Sequence, residues 1–268
     1  MKIMLNYLEI ETCSLCNIKC PWCPFGQIPN FRENKLDFLE TIYIRKIFNE
    51  LKLHQFKGVI SFQSLNDPLL DERITNGSLF KLCRKILSYD DVKIRINTNG
   101  ILLNNSNIEN MLSSGLDKLF ISCYTNEILN KAKEYKSKYP YYIEILDYTG
   151  ERTAELKYDR AGIIKSYSKF VPKEKTSCTL PIFSSVIGFN GEVRICLNDP
   201  LGRVKLGNIK NENLYDILNS EKVRKIRNKI ITNRKEVFPC NICNFEVDPK
   251  YVFDFTRYSI FDASEGGK

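Results

Sequence analysis

The sequence predicts an α/β protein with a parallel sheet of barrel size, followed by a smaller cysteine-bearing unit made of a hairpin and a helix. Three observations carry that reading. An alternating run, Leu5 to Thr12, is followed by a loop, by apolar residues at helical spacing from Leu36 (Leu39, Tyr43, Ile47, Leu51) and by a short apolar run, Gly58 to Gln63. Strand, helix, strand in that order is the βαβ unit, whose two strands run parallel. Further apolar runs at Val92–Ile96, Leu119–Ser122 and Tyr142–Leu146, separated by helical patterns, extend the same sheet. Lastly, Asn190-Gly191 joins two alternating runs, Pro181–Gly188 and Glu192–Leu197, a strong signal for a two-residue hairpin.

The 268 residues can bury a full core, and they suit one barrel-sized domain with an appendage. No apolar run approaches a membrane span and the N-terminus lacks the regions of a signal peptide, so a cytoplasmic chain without membrane contact is expected. Ten cysteines in such a chain favour metal or redox use over structural disulfides. The net charge of +8 is spread over lysines in most segments. That is the pattern of a solvated surface; a basic mouth for an anionic substrate is the weaker reading, and no nucleic-acid partner is expected.

The loop after the first strand reads Cys13-Ser-Leu-Cys16-Asn-Ile-Lys-Cys20-Pro-Trp22-Cys23, with C-x3-C-x2-C in its last three cysteines. Soft thiolates select iron-sulfur or zinc chemistry. Half a zinc site is the plain alternative, but zinc sites more usually pair C-x2-C units or add histidines, and His54 is the only histidine. Cys13 complicates the count, since it makes a C-x2-C with Cys16. The loop leaves a strand's C-terminal end, where barrel enzymes place their chemistry.

Phe25 to Lys35 reads as a loop. After the second strand comes Ser64-Leu65-Asn66-Asp67-Pro68-Leu69-Leu70, by itself an ordinary turn. Ser78–Ser88 predicts a helix burying Leu79, Leu82, Cys83 and Ile86, and the third strand ends in Asn97-Thr98-Asn99-Gly100, an Asn-Gly turn. Ile108–Ser114 is a short helix stopped by Gly115. The fourth strand ends in Ser122-Cys123-Tyr124, Glu127–Lys138 is a charged helix, and Asp147–Lys175 has weak periodicity. Within that run lies Asp159-Arg160-Ala161-Gly162. Asn213–Ile231 predicts one long helix, with Leu214, Ile217, Leu218, Val223, Ile226 and Ile230 on one face and Lys222, Arg224, Lys225 and Arg227 largely on the other. Cys178, Cys196 on the returning hairpin strand, and the distant Cys240-x2-Cys243 make a closed four-cysteine site for zinc or a 4Fe-4S cluster.

These motifs in this order resemble the radical SAM superfamily. The resemblance implies that Cys16, Cys20 and Cys23 ligate a 4Fe-4S cluster whose fourth iron holds S-adenosylmethionine, with Trp22 near that cofactor. Asn66, Asp67 and Pro68 stand where the family carries a G-G-E-P-type motif for the methionine amino group; Leu65-Asn66 replace its glycines and Asp67 its commoner Glu. Thr98, Asn99 and Gly100 match a T-N-G signature near the ribose and methionine carboxylate, and Ser122 faces the same mouth. Asp159–Gly162 resembles an N-R-A-G motif. The spacing of Cys178, Cys196, Cys240 and Cys243 resembles the opening of the SPASM pattern, truncated to a twitch domain with one auxiliary 4Fe-4S cluster. The implied fold is a partial (β/α)6 barrel over 1–172, a twitch domain over 173–250 and an extension over 251–268.

The chemistry so implied begins with a 5′-deoxyadenosyl radical that abstracts a hydrogen from a substrate carbon. Two-electron oxidation of a secondary alcohol on a cyclitol or sugar-like small molecule is the first reading, with the auxiliary cluster taking the electron and Arg160, permanently cationic, holding the hydroxyl. Epimerisation of a sugar or peptide is the second, with Cys123 as hydrogen donor at the mouth. Modification of a peptide and a zinc-stabilised interaction module are the remaining alternatives. A flavodoxin or ferredoxin is expected as external electron donor.

Overall fold

In the computed structural model, residues 3–88, 90–150, 159–165, 177–245, 251–254 and 259–262 are described. Five parallel strands come first: β1 (Tyr7–Ile10), β2 (Gly58–Ser61), β3 (Val92–Thr98), β4 (Lys118–Cys123) and β5 (Ile143–Asp147). Three more follow, β6 (Ser184–Ile187), β7 (Glu192–Arg194) and β8 (Lys205–Asn208), and the eight lie in one sheet in the order β5-β4-β3-β2-β1-β6-β7-β8. β1 is central, pairing in parallel with β2 (Tyr7 opposite Val59) on one side and with β6 (Tyr7 opposite Ser184) on the other.

From β1 to β5 each strand adds to the same edge. Right-handed crossovers in a constant direction put their helices on one face, here α2 (Thr41–Leu53), α4 (Ser78–Ile86), α5 (Asn105–Ser113) and α6 (Asn126–Lys138), and leave the other face to enclose a cavity. The alternation of the strands serves both faces: Leu8, Ile10, Ile60, Ile94, Ile96, Leu119 and Ile121 are buried in one apolar core with Ile44, Ile47, Phe48 and Leu51 of α2. Short helical turns α1 (Pro24–Gln27), α3 (Glu72–Thr75) and α7 (Leu180–Phe183) break the connecting loops.

The structure departs from the sequence reading in several places. Residues 37–39 run back along the end of β1, with Leu39 N–H donating to Thr12 O at 3.0 Å and Cys13 bridged to Phe38, so α2 starts at Thr41 and not near Leu36. The sixth parallel strand is β6, the first strand of the expected hairpin. The hairpin thus continues the barrel sheet, and its turn is made by Gly191 at φ +86°, a left-handed position that favours glycine. The boundary at 172/173 lies outside the described residues, and the sheet runs across it.

The long C-terminal helix is two helices, α8 (Leu214–Asn219) and α9 (Glu221–Asn233), separated by Ser220 in extended conformation, whose Oγ caps α9 by accepting Val223 N–H at 3.3 Å. Arg227, expected on the solvated face, is buried: its Nε donates to Pro181 O at 2.9 Å and its Nη1 to Leu218 O, a carbonyl that α8 leaves open at its end. Beyond residue 250, β9 (Tyr251–Asp254) and β10 (Ser259–Asp262) pair antiparallel, where only an extension was expected. No described helix is long and apolar enough to cross a membrane.

Candidate active site between two cysteine sets

A cavity of ≈ 260 Å³ opens at the C-terminal ends of the parallel strands. Cys16, Cys20, Cys23 and Trp22 line it from the loop after β1, Asn66 and Asp67 from the loop after β2, Thr98 and Asn99 from the end of β3, and Ser122 from β4. The motif residues of four separate loops thus meet at one mouth.

The three thiols are half-buried. Burial pushes Cys16 up to about 12, and Cys23 and Cys20 beside it add to the rise; burial pushes Cys20 up to about 12 as well, with Cys23 next in effect. Three thiols this close resist becoming three bare thiolates, and a soft cation that neutralises them relieves that cost. The donor set therefore fits an iron-sulfur cluster. Among the described residues no three histidine, cysteine or acidic side chains converge as ligands of one ion do. A cubane takes each thiolate on a different iron, so its ligands stand apart.

The loop after β2 shows how this chain manages without the missing glycines. Asn66 Oδ1 accepts Ser64 N–H at 3.1 Å, two residues back along the chain, while its Nδ2 donates to Cys13 Sγ at 3.4 Å. Cys13 is thereby a buried anchor for this loop. Asp67 accepts Thr98 Oγ1 at 2.9 Å, Asn99 N–H at 3.0 Å and Leu69 N–H at 3.0 Å, and its own N–H donates to Leu15 O at 3.0 Å. The acid ties three loops together. Asn99 Nδ2 donates to Asn17 Oδ1 at 2.6 Å and lies 3.8 Å from Cys16 Sγ. Pro68 and Gly100 are buried behind the cavity wall; Gly100 adopts φ +79° where the chain leaves β3.

Two acids, Glu9 in β1 and Glu11 just after it, complete this end, and both were passed over in the sequence, where charged residues inside a short apolar run were the available signal. Glu9 lines the cavity; burial raises its pKa against hydrogen bonds from Ser64 and Tyr7, the latter at 3.1 Å. Glu11 is fully buried. Burial works against its charge, but Arg194 and Arg32 outweigh it and hold the carboxyl at about 2. Both Nη2 contacts of Arg32 are 2.9 Å, Arg194 Nη2 donates at 2.7 Å and Leu65 N–H at 2.9 Å, so cluster loop, β2 loop and β7 share one carboxylate. The guanidinium of Arg32 also lies over Phe31 (5.0 Å) and Phe189 (4.9 Å).

An aromatic wall runs from the cluster loop across the strand ends. Trp22 packs on Tyr124 at 5.3 Å between centroids, and Tyr124 stacks on Tyr148 at 5.7 Å and 17°. Cys123 does not share that wall. Ser122 faces the cavity, so by the twofold alternation of a strand Cys123 faces the helix layer, where it is buried in the core with its thiol 3.5 Å from Ile121 O. Its placement at the mouth is corrected accordingly.

The opposite wall belongs to the second cysteine set. Cys178 and Cys243 are buried, Cys196 and Cys240 half-buried. Burial raises Cys196 well above its ordinary value, with Cys178, Cys243 and Cys240 adding to the rise, so the four thiols are neighbours. Asn198 N–H donates to Cys196 Sγ at 3.3 Å, the kind of donor that tunes a thiolate-ligated centre. Leu197, Asn198 and Phe245, flanking these cysteines, line the cavity together with Arg160. The cavity therefore lies between the two sets.

A strand-end cavity with a three-thiol loop on one side and a four-thiol site on the other is an arrangement suited to an iron-sulfur enzyme. The radical SAM superfamily model matches residues 10–125 and that of the iron-sulfur cluster-binding domain SPASM matches 178–254, so the chain carries a radical SAM domain followed by a SPASM domain. Among curated proteins it is similar to the S-adenosyl-L-methionine-dependent 2-deoxy-scyllo-inosamine dehydrogenase of Niallia circulans, 23% identical over 252 residues, with 91% of this chain and 94% of that one covered. Among solved structures it resembles BtrN in complex with AdoMet and 2-DOIA (TM-score 0.78, 20% identity, 91% and 95% covered) and anSMEcpe with bound AdoMet (TM-score 0.58, 14% identity, 89% and 88% covered).

Proposed function

We propose that this enzyme oxidises a secondary alcohol of an aminated, polyhydroxylated ring to a ketone, with two 4Fe-4S clusters, one on Cys16, Cys20 and Cys23 and one on Cys178, Cys196, Cys240 and Cys243. When bound, a cluster held by Cys16, Cys20 and Cys23 would supply, with S-adenosylmethionine, the chemistry that removes a hydrogen atom from the carbinol carbon, and a cluster held by Cys178, Cys196, Cys240 and Cys243 would supply an acceptor for the electron left when the hydroxyl is deprotonated. The observation that carries the reading is the cavity itself, placed between both cysteine sets and holding Arg160 and Glu9.

Arg160 presents a permanent cation that favours the deprotonated hydroxyl. Glu9, in electrostatic reach of Arg160, offers a carboxylate to a ring ammonium. Trp22, tilted against Tyr124, and the stacked pair Tyr124 and Tyr148 give an apolar wall that excludes water, while Asn97 and Asn198 offer side chains to further hydroxyls. Asn66, Asp67, Thr98, Asn99 and Ser122 line the part of the cavity nearest the first thiols, the side assigned to the cofactor. The substrate-radical electron has a destination, and no cysteine outside the two sets lines the cavity among the described residues, which favours oxidation over epimerisation. A flavodoxin or ferredoxin supplies the first electron.

The test is anaerobic incubation of reconstituted enzyme with S-adenosylmethionine, reductant and 2-deoxy-scyllo-inosamine, the compound for which the relative is named. Ketone formed in step with 5′-deoxyadenosine, unchanged in Cys123→Ala and lost in Arg160→Ala, is the expected result. Turnover of a cysteine-containing peptide with none of the aminocyclitol would overturn the reading.

A further inference from the structure

Arg160 sits in an unusual backbone. Arg160, Ala161 and Gly162 adopt φ of +49°, +52° and +82° in succession, a left-handed turn that is unfavourable for residues with a side chain and persists only where its surroundings hold it. Those surroundings are the second cysteine site. Asp159 N–H donates to Asn244 Oδ1 at 2.9 Å, and Asn244 N–H returns a bond to Asp159 Oδ1 at 3.2 Å. Arg203 Nη2 donates to Ala161 O at 2.6 Å, while its Nε pairs with Asp199 at 3.3 Å. Asn198 Oδ1 lies 3.5 Å from Arg160 Nη1, and the place of a Cβ on Gly162 is filled by Ile242 Cδ1 at 2.6 Å.

Asn244 follows Cys243, Ile242 precedes it, and Asn198 and Asp199 lie two and three residues after Cys196. Three of these four ties on the turn, from Asn244, Ile242 and Asn198, thus start within three residues of a second-set cysteine, and the fourth comes from Arg203 through Asp199. Asp199 N–H donates to Cys196 O at 3.1 Å, so the Arg203 tie also returns to that set.

From this we infer that metal occupancy of the second cysteine site sets the position of Arg160, with Asp159 as the positioning residue that transmits it. The inference rests on the proposed role of Arg160 and gives the second cluster a task beyond taking an electron. Closing the site fixes the 196–199 and 242–244 segments, and these hold the left-handed turn that aims the guanidinium into the cavity. Without the metal the turn relaxes towards ordinary backbone and Arg160 leaves the hydroxyl.

Hydrogen exchange tests this without any substrate. A peptide spanning 159–165 should exchange about tenfold faster or more in Asp159→Ala, which removes the acceptor of the Asn244 N–H, and in the Cys240→Ala/Cys243→Ala protein than in wild-type holoenzyme. Asp159→Asn, which keeps the accepting oxygen, should exchange as wild type, as should the Cys16/Cys20/Cys23→Ala protein. A control peptide over β3 reports global unfolding, and iron per chain is counted in every variant. Equal protection of 159–165 with and without iron in the second site, or equal loss on emptying the first site, would overturn the inference. Where the double cysteine variant unfolds globally, Asn244→Ala decides: an iron-loaded protein with a released turn supports the coupling, and a protected turn refutes it. Failure to oxidise 2-deoxy-scyllo-inosamine would leave these exchange rates unchanged, so the two readings fail separately.

Discussion

Glu11 shows how much of this site depends on one carboxylate that never touches the cavity. It sits at about 2 in the folded protein against an ordinary 4.5, because Arg194 and Arg32 face it where no water competes. A depressed carboxyl contributes stability above its unfolded pKa and loses it as pH falls through the folded one. That contribution, roughly 3 kcal/mol by the size of the shift, should be complete above about pH 4.5 and vanish near pH 2. Glu11→Gln should therefore be less stable at neutral pH by about 3–5 kcal/mol, since two buried guanidiniums lose their partner. In urea unfolding its gap from wild type should narrow as pH drops across that window. A gap independent of pH would show that Glu11 is not charged in the fold.

At the scale of elements, the break between α8 and α9 is set by Ser220. Apolar periodicity runs unbroken across it, which is why a single helix is predicted. Ser220 instead turns extended and caps α9, and the redirected helix buries Arg227 against carbonyls of α7 and α8. Ser220→Ala should lower stability by about 1 kcal/mol, read as a fall in thermal midpoint of the anaerobic holoenzyme, while Ser220→Gly should cost only a few tenths. Equal stability of all three would mean that the packing of Arg227, and not the cap, makes the break.

For the whole molecule the expectation is metal content. Anaerobically reconstituted protein should hold about eight irons, and Cys16/Cys20/Cys23→Ala about four with no cleavage of S-adenosylmethionine. Stoichiometric zinc with little iron would refute the cluster assignment. The sheet order explains why both sites can serve one cavity: β6 leaves the chain's C-terminal part to pair with β1, so the second cysteine set is carried on the same sheet as the first.

The sequence by itself determined the βαβ start, the strands β1 to β5 to within a few residues, the hairpin turn at Asn190-Gly191, and both cysteine sets with the Asp67 and Asn99 loops. The strands and the turn are local, a period of two or a dipeptide that shows within a short window, whereas the second cysteine set and the Asp67 and Asn99 loops were singled out by the resemblance to the radical SAM superfamily. Tertiary structure alone decided the rest. That β6 belongs beside β1, that Arg227 is buried, that Cys123 faces the helices while Glu9 faces the cavity, and that the Arg160 turn hangs on residues next to Cys196 and Cys243 all depend on partners more than 30 residues away or on which face a strand turns inward. Alternation says only that neighbouring strand residues point to opposite sides. Which side encloses the cavity is set by the handedness of the crossovers, a property of the assembled sheet that no window of sequence contains.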